Sequence, residues 1–179
     1  AITLTGGTNI VNTGDGDDTI TASSNLTVGD RINGGNGTDT FEVIHTGLAT
    51  IPSTANLTSI EQITIQDSVH QSLDFSALTD ITGIELNSGT TLDNATILTT
   101  IGAGQSLTLD GITDGDTAAA ALADGGIQIR QANSVTSLDL TVDDIGPATA
   151  SVNQNVVVDI AGNGVTTANV TSANDSFIV

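Results

Sequence analysis

The chain has no cysteine, lysine, methionine, tryptophan or tyrosine, and its 179 residues include only two prolines and three phenylalanines. Without cysteine there is no disulfide framework and no thiol chemistry. Two arginines stand against 21 acidic residues, for a net charge of −19. Nothing there neutralises phosphate, which argues against nucleic acid as a partner, and an anionic membrane surface fits no better. No apolar run reaches the length of a membrane span. The scarcity of aromatics removes stacking platforms for sugar rings. Helix-forming runs are scarce too, and only Thr117 to Asp124, where alanines cluster, has helical propensity. The chain opens on Ala1 without a signal-type segment, which reads as a processed product or an excised segment.

What is present is glycine, 20 residues of it, with threonine, asparagine, aspartate and short clusters of branched apolar residues. That mixture suits many short strands joined by tight turns. The most informative stretch is Gly34-Gly35-Asn36-Gly37-Thr38-Asp39-Thr40-Phe41-Glu42. It satisfies the nonapeptide G-G-x-G-x-D-x-U-x, with Phe41 as the large apolar residue. Glycines admit backbone conformations that turn carbonyls inward. The aspartate adds a charged oxygen, and calcium takes 6–8 oxygen ligands in flexible geometry.

Related elements precede it. Asp18-Thr19-Ile20 lies 21 residues before Asp39-Thr40-Phe41 and follows Gly14-Asp15-Gly16-Asp17, with Thr13 where the first glycine would stand. Asp30-Arg31-Ile32 and the degenerate Asn9-Ile10-Val11 form a second pair at the same spacing. The sequence order Asn9, Asp18, Asp30, Asp39 steps by 9, 12 and 9. A coil of 21 residues would stack Asn9 with Asp30 on one edge and Asp18 with Asp39 on the other.

A second repeat has the same period in different residues. Leu57-Thr58-Ser59-Ile60-Glu61-Gln62-Ile63-Thr64-Ile65 matches Leu78-Thr79-Asp80-Ile81-Thr82-Gly83-Ile84-Glu85-Leu86 at all four apolar positions. Downstream, Leu107 to Leu109, Ile127 to Ile129, Leu138 to Val142, Val156 to Ile160 and Phe177 to Val179 read as strands, with gaps near 20 residues between several of them. The expected fold is all-β: a parallel β-helix (β-solenoid) of seven to nine coils with about 20–21 residues each and calcium-binding turns. It would be a single elongated unit over 1–179, with calcium-type coils in 1–44 and Thr-rich coils in 45–179. The alternative is an antiparallel β-sandwich. Residues 45–56, with Pro52, and residues 111–126 read as irregular loops. No cap is evident at either end, which suggests a module of a tandem array or end-to-end stacking.

The candidate calcium ligands are Gly14, Asp15, Gly16, Asp17, Asp18, Asp30, Gly35, Asn36, Gly37, Thr38 and Asp39. Stacked Asp18 and Asp39 would bring like charges about 5 Å apart, costing on the order of 1 kcal/mol even in water, which an intervening cation reverses. Asn9, Asp110, Asp114, Asp116 and Asp124 are looser candidates, the last four as acidic turns. Asp143-Asp144 reads as a turn.

Catalytic signatures are missing. His45 and His70 stand alone, and no G-x-S-x-G, H-E-x-x-H or P-loop occurs. A lyase acting on an acidic polysaccharide would have to rely on Arg31 or Arg130 as its base. Thr3-Leu4-Thr5, Thr19-Ile20-Thr21 and Thr38-Asp39-Thr40 hint at a T-x-T face, but the 21-residue period sets Thr21 over Glu42 and interrupts it.

Gly34 to Glu42 and the imperfect copy Thr13 to Thr21 resemble the RTX calcium motifs of type I secreted bacterial proteins. The Leu-Thr-x-Ile-x-x-Ile-x-Leu segments, followed by Gly89-Thr90-Thr91-Leu92, resemble the Thr-rich β-strand-repeat regions of Gram-negative surface-layer proteins. The resemblance implies a calcium-stabilised parallel solenoid, secreted to the bacterial cell surface, where calcium also drives assembly into a lattice or filament. The expected partner is a second copy of the chain, with cell-surface polysaccharide as a further candidate. A calcium-dependent adhesin, matrix or spacer module of a larger secreted protein is the alternative, with residues 45–56 and 111–126 meeting the ligand. Neither reading includes an enzymatic activity.

Overall fold

The computed structural model describes residues 1–23, 29–44, 56–66, 73–87, 91–92, 96–111, 113–114, 126–131, 136–143, 157–161 and 165–173. Their strands in chain order begin with β1 (Ile2–Thr3), β2 (Ile10–Asn12), β3 (Thr19–Ser23), β4 (Arg31–Asn33), β5 (Thr40–Ile44) and β6 (Asn56–Thr58). There follow β7 (Gln62–Gln66), β8 (Leu73–Asp74), β9 (Gly83–Asn87), β10 (Thr91–Leu92), β11 (Thr96–Ile101) and β12 (Ser106–Asp110). The last are β13 (Thr113–Asp114), β14 (Gly126–Gln131), β15 (Ser137–Asp143), β16 (Val157–Ala161) and β17 (Thr167–Ala173). The described residues are all-β and contain no helix, so none is long and apolar enough to cross a membrane. The alanine-rich stretch 117–124 lies outside them.

Eight strands form the main sheet in the order β1-β3-β5-β7-β9-β12-β15-β17. Smaller sheets run β2-β4-β6, β16-β14-β11-β8 and β10-β13. Every pairing among the described strands is parallel. That is not the pairing of an antiparallel sandwich, which joins neighbouring strands by hairpins. Here each strand of the main sheet pairs with one reached only after an excursion through other strands.

Alternation along each strand explains why the sheet forms. In β5, Phe41 and Val43 point inward while Thr40, Glu42 and Ile44 face out; β7 and β9 repeat the pattern. The parallel register turns this into columns. Ile20, Phe41, Ile63, Ile84, Leu107 and Leu140 stack in one, and all are buried. Ala22, Val43, Ile65, Leu86, Leu109 and Val142 stack beside them, also buried. Ile60, Phe75, Leu78 and Ile81 complete the core from the turns. The first column continues to Ile2 and Val170 in the outer strands, where exposure rises to 38% and 43%.

The 21-residue period is kept at three pairings in the first half of the chain, while β1–β3, β5–β7 and β4–β6 are offset by 18, 22 and 25. Ile20 pairs Phe41, Ile32 pairs Val11, and Ile63 and Ile65 pair Ile84 and Leu86, as the repeat requires. From β11 on, the rhythm expected from the sequence gives way to steps of 30 or more. Ser106 pairs Asp139, Ser137 pairs Thr167, and Gly126 pairs Val157, offsets of 33, 30 and 31. Parallel pairing fixes only which apolar residues share a column, and lengthening a connection costs little. Outward, Thr21 pairs Glu42, so the threonine face is interrupted as expected. The segment read as an irregular loop over 111–126 contains β13, which pairs β10, and ends at Gly126, the first residue of β14. Asn56, read as loop, opens β6; residues 45–55 lie outside the described ones.

Truncating Ile84 to alanine removes a buried side chain from the middle of the column and should lower unfolding free energy by about 2–5 kcal/mol. Thr64→Ala, on the outer face of the neighbouring strand, should stay within about 0.5 kcal/mol of the parent. Urea unfolding followed by circular dichroism separates the two outcomes.

Candidate metal centre

Two turns carry the acidic motif, and the structure stacks them. Asp15 bridges Asn36 in parallel. The Gly16 N–H donates to the Asn36 carbonyl at 2.7 Å, and the Asn36 N–H to the Gly14 carbonyl at 2.8 Å. Thr13, standing where the motif has glycine, donates its hydroxyl to the Gly34 carbonyl. Gly35 and Gly37 have φ of 94° and 139°. A Cβ on Gly35 would lie 2.0 Å from the Gly14 carbonyl oxygen, and one on Gly37 2.5 Å from that of Gly16. Both glycines are therefore required twice, by conformation and by the closeness of the preceding turn.

The predicted pairs are brought together. Asn9 and Asp30 lead into β2 and β4 of the three-stranded sheet, while Asp18 and Asp39 lead into β3 and β5 of the main sheet. The Asn9 backbone and side-chain N–H groups donate to Asp30 Oδ1 at 2.6 and 3.0 Å. The Asp18 N–H donates to Asp39 Oδ1 at 2.8 Å. Further out, Asn36 Nδ2 donates to Asp15 Oδ1 at 2.8 Å, and the Thr38 N–H donates to Asp17 Oδ1 at 2.7 Å. Asp15, Asp17, Asp30 and Asp39 are thus seated on amide groups of the neighbouring turn. Hydrogen bonds between turns also use the Gly14 and Asn36 carbonyls, on the edge where ligand carbonyls were expected.

Asp39 differs from the other acids of the two motif turns. It is fully buried, and its Oδ2 has no hydrogen-bond partner. Burying a carboxylate oxygen without a partner is costly unless a cation or a proton meets it. Around it the sequence reading missed three residues. The Ser59 carbonyl and Asp39 Oδ2 lie 2.1 and 2.5 Å from the point where a Gly34 Cβ would sit, hence no more than about 4.6 Å apart. Only glycine at 34 leaves this space open. Glu61 Oε2 accepts the Asp39 N–H at 2.9 Å, and Asp80 Oδ2 accepts the Ser59 N–H at 3.1 Å. Glu61 escaped notice because it follows Asp39 by 22 residues and is not an aspartate. Ser59 and Asp80 were aligned in the second repeat, at a spacing of 21, but neither lies in a nonapeptide.

Asp39 and Glu61 belong to a longer column. Asp18, Asp39, Glu61, Thr82 and Gln105 each immediately precede a strand of the main sheet, in register. The acids give way to neutral groups: the Thr82 hydroxyl donates to the Glu61 carbonyl at 3.3 Å. Gln105 turns inward, donating to the Phe75 and Leu78 carbonyls and accepting the Gly102 N–H.

Of the looser candidates, Asp110 ends β12 and pairs Asn87 and Asp143 rather than sitting in a turn. Asp143, read as a turn residue, ends β15. Asp114 belongs to β13; Asp116 and Asp124 lie outside the described residues, as do His45 and His70. Among the described residues, no three acidic or histidine side chains gather in a metal-holding group. The donors that converge mix carboxylate with backbone carbonyl oxygen, a set that suits calcium rather than a nitrogen- or sulfur-loving metal.

Gly35→Ala should cost about 2 kcal/mol or more, since a left-handed conformation alone costs roughly 1–2 kcal/mol for a residue with a Cβ and the Gly14 carbonyl must also move. Gly6→Ala, with no atom within 4 Å of its Cβ, is the control and should be near neutral; chemical denaturation of both variants reads the difference. Comparison of the chain with protein-family models, with curated proteins and with solved structures returned no match.

Proposed function

We propose that the chain is a structural, self-assembling extracellular module: a β-solenoid whose acidic turns are rigidified by calcium. The observation that carries the reading is the stacking of Asp18 on Asp39 through a parallel register of 21 residues, with Asp39 buried and one of its oxygens unpartnered. When bound, calcium would neutralise the buried Asp39 carboxylate and cross-link successive coils. Asp39 is the central ligand; Asp18 precedes it in the column, and Asp30, held by Asn9, stands on the other edge. The resemblance of Gly34 to Glu42 to RTX motifs, and of the Leu-Thr-x-Ile segments to surface-layer repeats, supports secretion to a bacterial cell surface.

Self-association draws support from the outer strands of the main sheet. Within the described residues β1 and β17 each pair on one side only. Ile2 and Val170 on them are partly exposed, and Ile10 on β2 is 81% exposed. A parallel edge strand with apolar groups beside it can template a further strand, and a second copy of the chain could supply one. The reading assigns no reaction to the protein.

Calcium titration with reversal by chelator tests the proposal. At about 100 times its dissociation constant, one bound ion should add roughly 2.7 kcal/mol to folding stability, seen as a rise in β-type circular dichroism and in the denaturation midpoint. Light scattering should rise with calcium and fall when it is chelated. A monomer that folds with calcium but never assembles would point instead to a calcium-dependent adhesin, matrix or spacer module, with polysaccharide as the partner to screen. Unchanged stability with and without calcium would end the metal reading.

A further inference from the structure

Resting on the calcium reading, we propose that the principal ion sits one turn beyond the motif pair, between the turn that ends at Asp39 and the turn at 59–61. Its protein ligands there are Asp39 Oδ2, the Ser59 carbonyl and the Glu61 carboxylate. The nonapeptide pattern alone would place the ion between Asp18 and Asp39. The structure orients the Asp39 carboxylate differently. Its Oδ1 is already engaged by the Asp18 N–H, and Oδ2, the oxygen without a partner, approaches the Ser59 carbonyl across the space left open by Gly34.

Three further observations converge on that space. Ser59 has φ of 50°, and no other non-glycine residue among the described ones has a positive φ. A residue with a Cβ adopts that conformation at a cost, and here it accompanies the approach of the Ser59 carbonyl to Gly34. Asp80 steadies it by accepting the Ser59 N–H at 3.1 Å. Glu61 brings a second carboxylate to the backbone of Asp39 at 2.9 Å, in a chain with no lysine. A hard divalent cation would supply the partner that Asp39 Oδ2 lacks and draw on the Ser59 carbonyl and the Glu61 carboxylate beside it. Calcium fits better than magnesium, which keeps its waters and demands a stricter octahedron.

The site would clamp the acidic turns onto the first turn of the Leu-Thr-x-Ile repeat, joining the two halves of the sequence pattern. Glu61 then belongs to the metal site although no nonapeptide contains it.

The test is isothermal titration of the full chain with calcium, for the parent, Glu61→Gln and Asp18→Asn. Loss of even an outer-shell partner commonly weakens metal affinity by about 10–100-fold, so Glu61→Gln should weaken the tightest site at least about tenfold, with Asp18→Asn within about twofold. Hydrogen exchange of the parent chain, with and without calcium, gives an answer that does not depend on any variant folding. Calcium should protect segments 34–44 and 56–66 together. Protection confined to 13–23 and 34–44, or an Asp18→Asn effect equal to or larger than that of Glu61→Gln, places the ion between the two motif turns and overturns this assignment while the calcium reading survives. Calcium binding that neither variant alters overturns it as well. No binding to the parent overturns both.

Discussion

In the main sheet, Ile20, Phe41, Ile63, Ile84, Leu107 and Leu140 lie one above another, and every other feature of the molecule depends on that register. A strand presents alternate residues to opposite faces, so a slip of one position would turn each apolar pair outward and bury Thr21, Glu42, Thr64 and Glu85. The cost of such a slip rises with every strand added. The same register then sets what happens beside the sheet. Once Phe41 is stacked on Ile20, Asp39 must stand over Asp18, and the glycines of one turn must lie against the carbonyls of the other.

The charge pattern follows from this stacking. With no lysine and two arginines, the acids cannot be balanced by side-chain cations, and the stacked turns instead seat them on amide groups. Asp30 takes the amides of Asn9, Asp17 that of Thr38, Asp39 that of Asp18 and Glu61 that of Asp39. Hydrogen bonds to a carboxylate are among the stronger ones available to a protein. They leave one buried oxygen of Asp39 without a hydrogen-bond partner. Along the column the acids end at Glu61, with Thr82 and Gln105 after it. The same structural position is thus served by charged groups near the acidic turns and by neutral ones further on.

On the outer face, Glu42 and Glu85 alternate with threonines of the intervening strands, which keeps like charges from adjacent positions. The Thr21 hydroxyl donates to Glu42, and Asn87 bridges Glu85 and Asp110. The face is polar and cross-linked within itself, so the apolar groups that remain exposed at Ile2, Ile10 and Val170 are those of outer strands, with Ile44 on the rim of β5.

Much of this was written in the sequence because it depends on spacing. The period of 21, the apolar pairs of the two Leu-Thr-x-Ile segments, and the stacking of Asn9 with Asp30 and Asp18 with Asp39 all follow from counting residues between like side chains. The all-β character follows as well, from alternation and the lack of helix-forming runs. Other features depend on contacts between residues that share no pattern. The steps of 30 to 33 from β11 on are invisible to a search for a constant period, because a connection can lengthen without disturbing the columns it joins. The roles of Ser59, Glu61 and Asp80 arise from a backbone carbonyl turned inward and from a glycine whose missing side chain leaves room for two oxygens. The sequence by itself determined which residues recur and which must face inward, since periodicity and hydrophobicity are properties of the chain. Only the tertiary structure decided which oxygen of Asp39 is left over and which turn it approaches, because that depends on where amide donors from other turns arrive in space.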